Sequence, residues 1–141
     1  MRNVYRVTGM LIALAVVLQI ASIAMAGFTV AKDAGDGAAI GADYSNFGQS
    51  YHSIAGTAIG LLALVFLIVS FLTDVPRGRV LAAIVLGLVV VQFLLAVVSF
   101  GVPALGILHG VNGLAIAAVA SMAARRAVPD QAAPNQPAAS V

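Results

Sequence analysis

Cysteine is absent from the 141 residues and charge is scarce, with Asp, Glu, Lys and Arg together making up 9% of the chain. Without cysteine there is no disulfide, no thiolate metal site, no thiol catalysis and no covalent c-type heme attachment. A soluble domain carries about 25% charged residues, so this chain cannot cover itself against water. No basic run with interleaved aromatics occurs, which leaves nucleic-acid binding without support. There is no nucleophile–base–acid constellation, phosphate loop or Walker motif, so independent enzyme activity also has little support. What the chain does have is hydrocarbon: 62% of its residues are hydrophobic and its mean hydropathy is +1.08. Lipid is the solvent that such a composition fits, and the length suits one small bundle.

Four apolar stretches stand out, at residues 7–30, 51–72, 80–100 and 104–124. About 20 apolar residues at a rise of about 1.5 Å each cross the hydrocarbon core of a bilayer. Backbone groups in lipid must be paired internally, so the stretches are read as helices despite their β-branched content. The expected architecture is an all-α integral membrane four-helix bundle over residues 1–126. A tail at 127–141, rich in Ala, Pro and Gln, is expected to be disordered. Six of the seven basic residues (Arg2, Arg6, Arg77, Arg79, Arg125 and Arg126) fall on one side, and Lys32 lies on the other beside Asp33, Asp36 and Asp43. The positive-inside rule then makes both termini and the tail cytoplasmic, in a bacterial cytoplasmic (inner) membrane.

The external loop at 31–50 is long and rich in Gly and Asp. The link around 101–103 is short, so the third and fourth helices should be antiparallel neighbours. No internal sequence repeat stands out. The first stretch has two readings. It is a retained helix, or a signal peptide ending at Ala24-Met25-Ala26; its apolar run is longer than a usual signal core, which favours retention.

His52 and His109 each lie near the start of a long apolar stretch, the second and the fourth. An ionisable side chain in a membrane span is costly and marks a functional site by default. Both fall in the external half, about 30 Å and 24 Å above the cytoplasmic helix ends, a mismatch that helix tilt can absorb. His52, Gly56 and Gly60 recur at a spacing that places them on one helix face. His109, Asn112, Gly113 and Ala117 form a comparable stripe. These stripes read either as a flat groove for a porphyrin or as the small-residue packing common between membrane helices. Two neutral imidazoles can supply both axial ligands of heme b. A bare zinc ion normally needs three or four protein ligands, and the spans contain no Asp, Glu or Cys. Gln19 and Gln92 share a level near mid-membrane and are expected to hydrogen-bond each other, with Ser22 extending the pair; the other reading is a quinone or ligand site. Gln49, Ser50, Tyr51 and Lys32 are candidate partners for heme propionates, or belong to an aromatic belt and turn. Met25 is a candidate soft ligand or a lipid-facing side chain.

A histidine at the external end of helix two, a second at the external end of helix four, and an external first loop resemble one four-helix half of heme A synthase. The resemblance implies a bundle in which His52 and His109 are an axial pair. In that family a functional glutamate lies three residues before the first histidine, where this chain has Gln49, and the family's external-loop cysteines have no counterpart here. The chain is also similar to small four-helix membrane proteins of actinobacteria, through His-Gly-Val-Asn at 109–112. Besides the quinone or small-molecule site at the Gln19/Gln92 level, two functions are in view. One is a b-type heme protein for electron transfer, heme handling or redox-enzyme assembly, acting with a redox membrane complex or as a homo-oligomer. The other is a cofactor-free structural or accessory subunit of a larger membrane complex.

Overall fold

The structure, a computed structural model, describes residues 1–128. It contains four α-helices, α1 (Arg2–Gly35), α2 (Phe47–Phe71), α3 (Gly78–Gly101) and α4 (Gly106–Arg126), with one 3-10 turn at Pro103–Leu105 and no strand among the described residues. All four helices are long and apolar enough to cross a membrane, so the chain is an all-α, multi-pass membrane bundle. Each helix packs on its neighbour in sequence and α1 closes the ring against α4, which leaves α2 diagonal to α4 and α1 diagonal to α3. Of the tail expected to be disordered, residues 129–141 lie outside the described residues.

Two helices depart from the spans that hydropathy outlines. α1 has 34 residues, about 51 Å of helix against a hydrocarbon core of about 30 Å; its last turns carry charge and leave the apolar stretch. α2 begins at Phe47, ahead of its apolar stretch, because Asn46 caps it. The Asn46 side chain accepts from Gln49 N at 3.1 Å, and Gln49 Oε1 accepts from Asn46 N at 3.0 Å. This reciprocal pair satisfies two otherwise orphaned amide donors. Asn46 Nδ2 also donates to Ala26 O at 3.2 Å, tying the start of α2 to α1. Within the first turn of α2, Gly48 lies where a Cβ would meet Ser22 O at 2.5 Å and Ala26 N at 2.8 Å, so only glycine allows this crossing. In the preceding loop the Tyr44 hydroxyl donates to Asp33 Oδ2 at 2.7 Å. The carboxylate favours the protonated phenol and raises its pKa from the ordinary 10.0.

At the opposite end the start of α1, the α2–α3 turn and the end of α4 meet. Tyr5, Val75 and Ala127 belong to one buried cluster, and Arg2 pairs with Asp74 at 3.2 Å. This end gathers the six arginines. The Tyr5 hydroxyl donates to Gly78 O at 2.9 Å, and its ring packs on Phe66 at 4.4 Å between centroids. Tyr5→Phe removes this one buried bond, leaves the Gly78 carbonyl with its bond inside α3, and is expected to cost about 1 kcal/mol. Denaturation in detergent checks this; an unchanged midpoint would show that the bond contributes nothing.

Candidate central cavity

Four buried aliphatic side chains, one per helix, close the bundle near mid-depth: Val16, Ile59, Val89 and Ile116. Away from the arginine-rich end each helix then presents a polar side chain to the axis. Gln19 and Gln92 each follow their valine by one helical turn. His52 and His109 each precede their isoleucine by two turns, which returns them to the same helix face. Gly56 and Gly113 fill the intervening turn without a side chain. These ten residues line one cavity of about 560 Å³, completed by apolar walls that include Ile20, Ile23, Phe93 and Phe100.

At the positions that face the cavity, the two hairpins carry the same residues, His, Gly and Ile on one helix and Val and Gln on the other. Residues 52–59 read His-Ser-Ile-Ala-Gly-Thr-Ala-Ile and residues 109–116 read His-Gly-Val-Asn-Gly-Leu-Ala-Ile; Val16-Val-Leu-Gln19 matches Val89-Val-Val-Gln92. The α1–α2 and α3–α4 hairpins run in the same direction through the bundle, as in parallel repeats related by an axis along the membrane normal. No single offset relates the two halves along the sequence, because the connections differ in length: Gln19 and His52 are 33 positions apart, Gln92 and His109 only 17.

The repeat positions both imidazoles alike. His52 Nδ1 lies 3.3 Å from Gln19 O and His109 Nδ1 lies 3.1 Å from Gln92 O. A carbonyl oxygen can only accept, so each ring carries its proton on Nδ1 and its lone pair on Nε2. The two ring centres are 6.1 Å apart across the cavity, with planes inclined by 53°. Each histidine stands the same distance along its helix from the buried isoleucine of the aliphatic layer, Ile59 or Ile116, so a count from the helix ends overstates their offset.

The symmetry breaks at one position. Asn112 Nδ2 donates to Gln92 Oε1 at 2.7 Å and to Leu88 O at 2.8 Å, and Gln92 Nε2, so oriented, donates to His109 Nε2 at 3.0 Å. The counterpart of Asn112 in the first hairpin is Ala55, which can hold nothing. Gln19 is 7% exposed, and neither its Oε1 nor its Nε2 has a hydrogen-bond partner among the described residues. The expected Gln19–Gln92 pair therefore does not form. The two lie on diagonal helices, and each offers its backbone carbonyl to the histidine of its own hairpin. Ser22 donates to Gln19 O at 2.8 Å rather than to the carboxamide.

Of the other expected site residues, Gly56 and Gly113 line the cavity, whereas Gly60, Asn112 and Gln49 do not. Gly60 faces the Phe93 ring, where a Cβ would sit 3.2 Å from it, so its smallness serves packing. Asn112 acts on the cavity through Gln92, and Gln49 is engaged in the α2 cap. Lys32 pairs with Asp36 at 2.6 Å, Tyr51 packs beside the Phe47 ring, and Met25 is exposed on the lipid-facing surface. Among the described residues no group of three or more His, Cys, Asp or Glu side chains stands ready to hold a bare metal ion.

The fold and the cavity define a class: a multi-pass helical bundle of two repeated hairpins around a chamber with two histidines. Beyond the class, the chain matches no protein-family model, no curated protein and no solved structure.

Proposed function

We propose that this protein binds one b-type heme between α2 and α4, with His52 and His109 as the axial pair. It would serve electron transfer, heme handling or redox-enzyme assembly in a bacterial cytoplasmic membrane, its arginine-rich end in the cytoplasm. The observation that carries the proposal is the disposition of the two imidazoles. Axial imidazoles on opposite faces of one metal, with nitrogen–metal bonds of about 2 Å, have ring centres roughly 6 Å apart; the observed separation is 6.1 Å. A backbone carbonyl holding the second ring nitrogen is the usual support of a ligating histidine, fixing tautomer and orientation.

Two further features favour a bound group over a cofactor-free accessory role. Heme is mostly apolar, as are the Ile20, Ile23, Phe93 and Phe100 walls. The unpartnered Gln19 carboxamide is costly inside a protein unless an occupant uses it. Heme, when bound, supplies one-electron chemistry. The chain's part is to hold it, orient it, and seal its inner side with Val16, Ile59, Val89 and Ile116. The test is a reduced-minus-oxidised spectrum of protein purified from heme-replete cells, followed by hemin titration. Uptake of one heme per chain with histidine-ligated bands is expected. A colourless protein that takes up no hemin would overturn the assignment.

A further inference from the structure

We propose that the two histidines are inequivalent: Asn112 locks Gln92 onto His109 Nε2, so His52 is the standing ligand and His109 a withheld one that Gln92 releases. The proposal rests on the heme reading for the identity of the ligand, but the inequivalence is a property of the chain's own hydrogen bonds.

Gln92 Nε2 donates to the one His109 nitrogen that carries a lone pair, at 3.0 Å. While that bond stands, the lone pair is not available to a metal. Gln92 is kept in this pose because its other end accepts from Asn112 at 2.7 Å, and Asn112 is itself anchored on Leu88 O at 2.8 Å. No such chain exists in the first hairpin. Ala55 stands where Asn112 would, the Gln19 carboxamide has no partner, and among the described residues nothing donates to His52 Nε2. Two copies of one hairpin thus present one open imidazole and one capped imidazole to the same cavity. Freeing His109 requires the Gln92 amide to rotate, and the unpartnered Gln19 across the cavity has spare capacity to stabilise a polar group in the ligand-filled state.

Permanent electron transfer is best served by two fixed axial ligands. A withheld second ligand suits a protein that accepts heme on one side and gives it up again. Within the proposed function the geometry therefore favours heme handling, with the α4 side as the exchangeable side.

The test has two arms on the full chain in detergent. In the first, the heme-free protein is treated with diethyl pyrocarbonate, which acylates unprotonated imidazole nitrogen, and adducts are followed at each histidine by mass spectrometry. His52 is expected to react about tenfold faster than His109, the weight of one hydrogen bond. Asn112→Ala should raise the His109 rate and leave the His52 rate alone. Gln92→Leu, which keeps a similar volume, should do the same and stands in if Asn112→Ala does not fold. Equal rates in the native chain, or a His109 rate that neither variant raises, would overturn the inequivalence. In the second arm, bound hemin should show a high-spin fraction in the native chain that both variants convert to the low-spin, two-histidine form. A fully low-spin native spectrum that neither variant changes would also overturn it. Failure of all three proteins to take up hemin would instead overturn the heme assignment, and the acylation rates would still decide the inequivalence.

Discussion

His52→Ala is expected to empty the cavity of heme, lowering affinity by more than about a hundredfold. Loss of a supporting hydrogen bond behind a ligand already costs about 10- to 100-fold, and this substitution removes the ligand itself. His109 cannot readily replace it, because its Nε2 is engaged by Gln92 at 3.0 Å. The helix should survive: among the described residues the His52 side chain makes one hydrogen bond, the 3.3 Å approach of Nδ1 to Gln19 O. His109→Ala, by contrast, should leave measurable heme in a high-spin state. Hemin titration of both variants, with circular dichroism as the folding control, separates them. Equal retention of heme in His52→Ala and the native chain would remove this histidine from the site.

Gly48→Val should be the most damaging single change to the fold. An added Cβ would come within 2.5 Å of Ser22 O and 2.8 Å of Ala26 N. Both are backbone atoms of α1 and cannot swing aside, so the helices must part. Overpacking of this kind costs about 1–3 kcal/mol, and the separation would also break the Asn46–Ala26 bond, worth about 1 kcal/mol more. The damage reaches the cavity, since Gln19 O on α1 orients His52 on α2. Lower thermal stability and weaker heme uptake are expected together. Gly27, on the facing helix α1 with nothing within 4 Å of its Cβ position, provides the control: Gly27→Ala should be tolerated. A native-like melting midpoint for Gly48→Val would show that α1 and α2 do not cross there.

Much of this architecture is legible in the linear chain. Apolar length and arginine placement report four spans, their alternation and the shared half of His52 and His109, because lipid enforces those features on composition. The order of helices around the axis is not legible, since no residue count distinguishes a neighbour from a diagonal. Gln19 and Gln92 lie at one level, yet on diagonal helices, so each meets the histidine of its own hairpin and not the other glutamine. The repeat was hidden for a related reason: its matched positions are spaced by helix packing within each span, while the unequal connections destroy any constant offset along the chain. Gln49 shows a local signal that was available. Asn46 and Gln49, three apart ahead of an apolar run, fit the reciprocal cap that the structure contains.

The α2–α3 turn sets two demands of membrane folding against each other. Arg77 adopts φ 58° without being glycine, a conformation that costs an L-residue about 1–2 kcal/mol. Glycine would relax that backbone. It would also delete one of the six arginines gathered at that end of the bundle, so among the described residues the one non-glycine in left-handed backbone also carries part of the charge difference between the two ends.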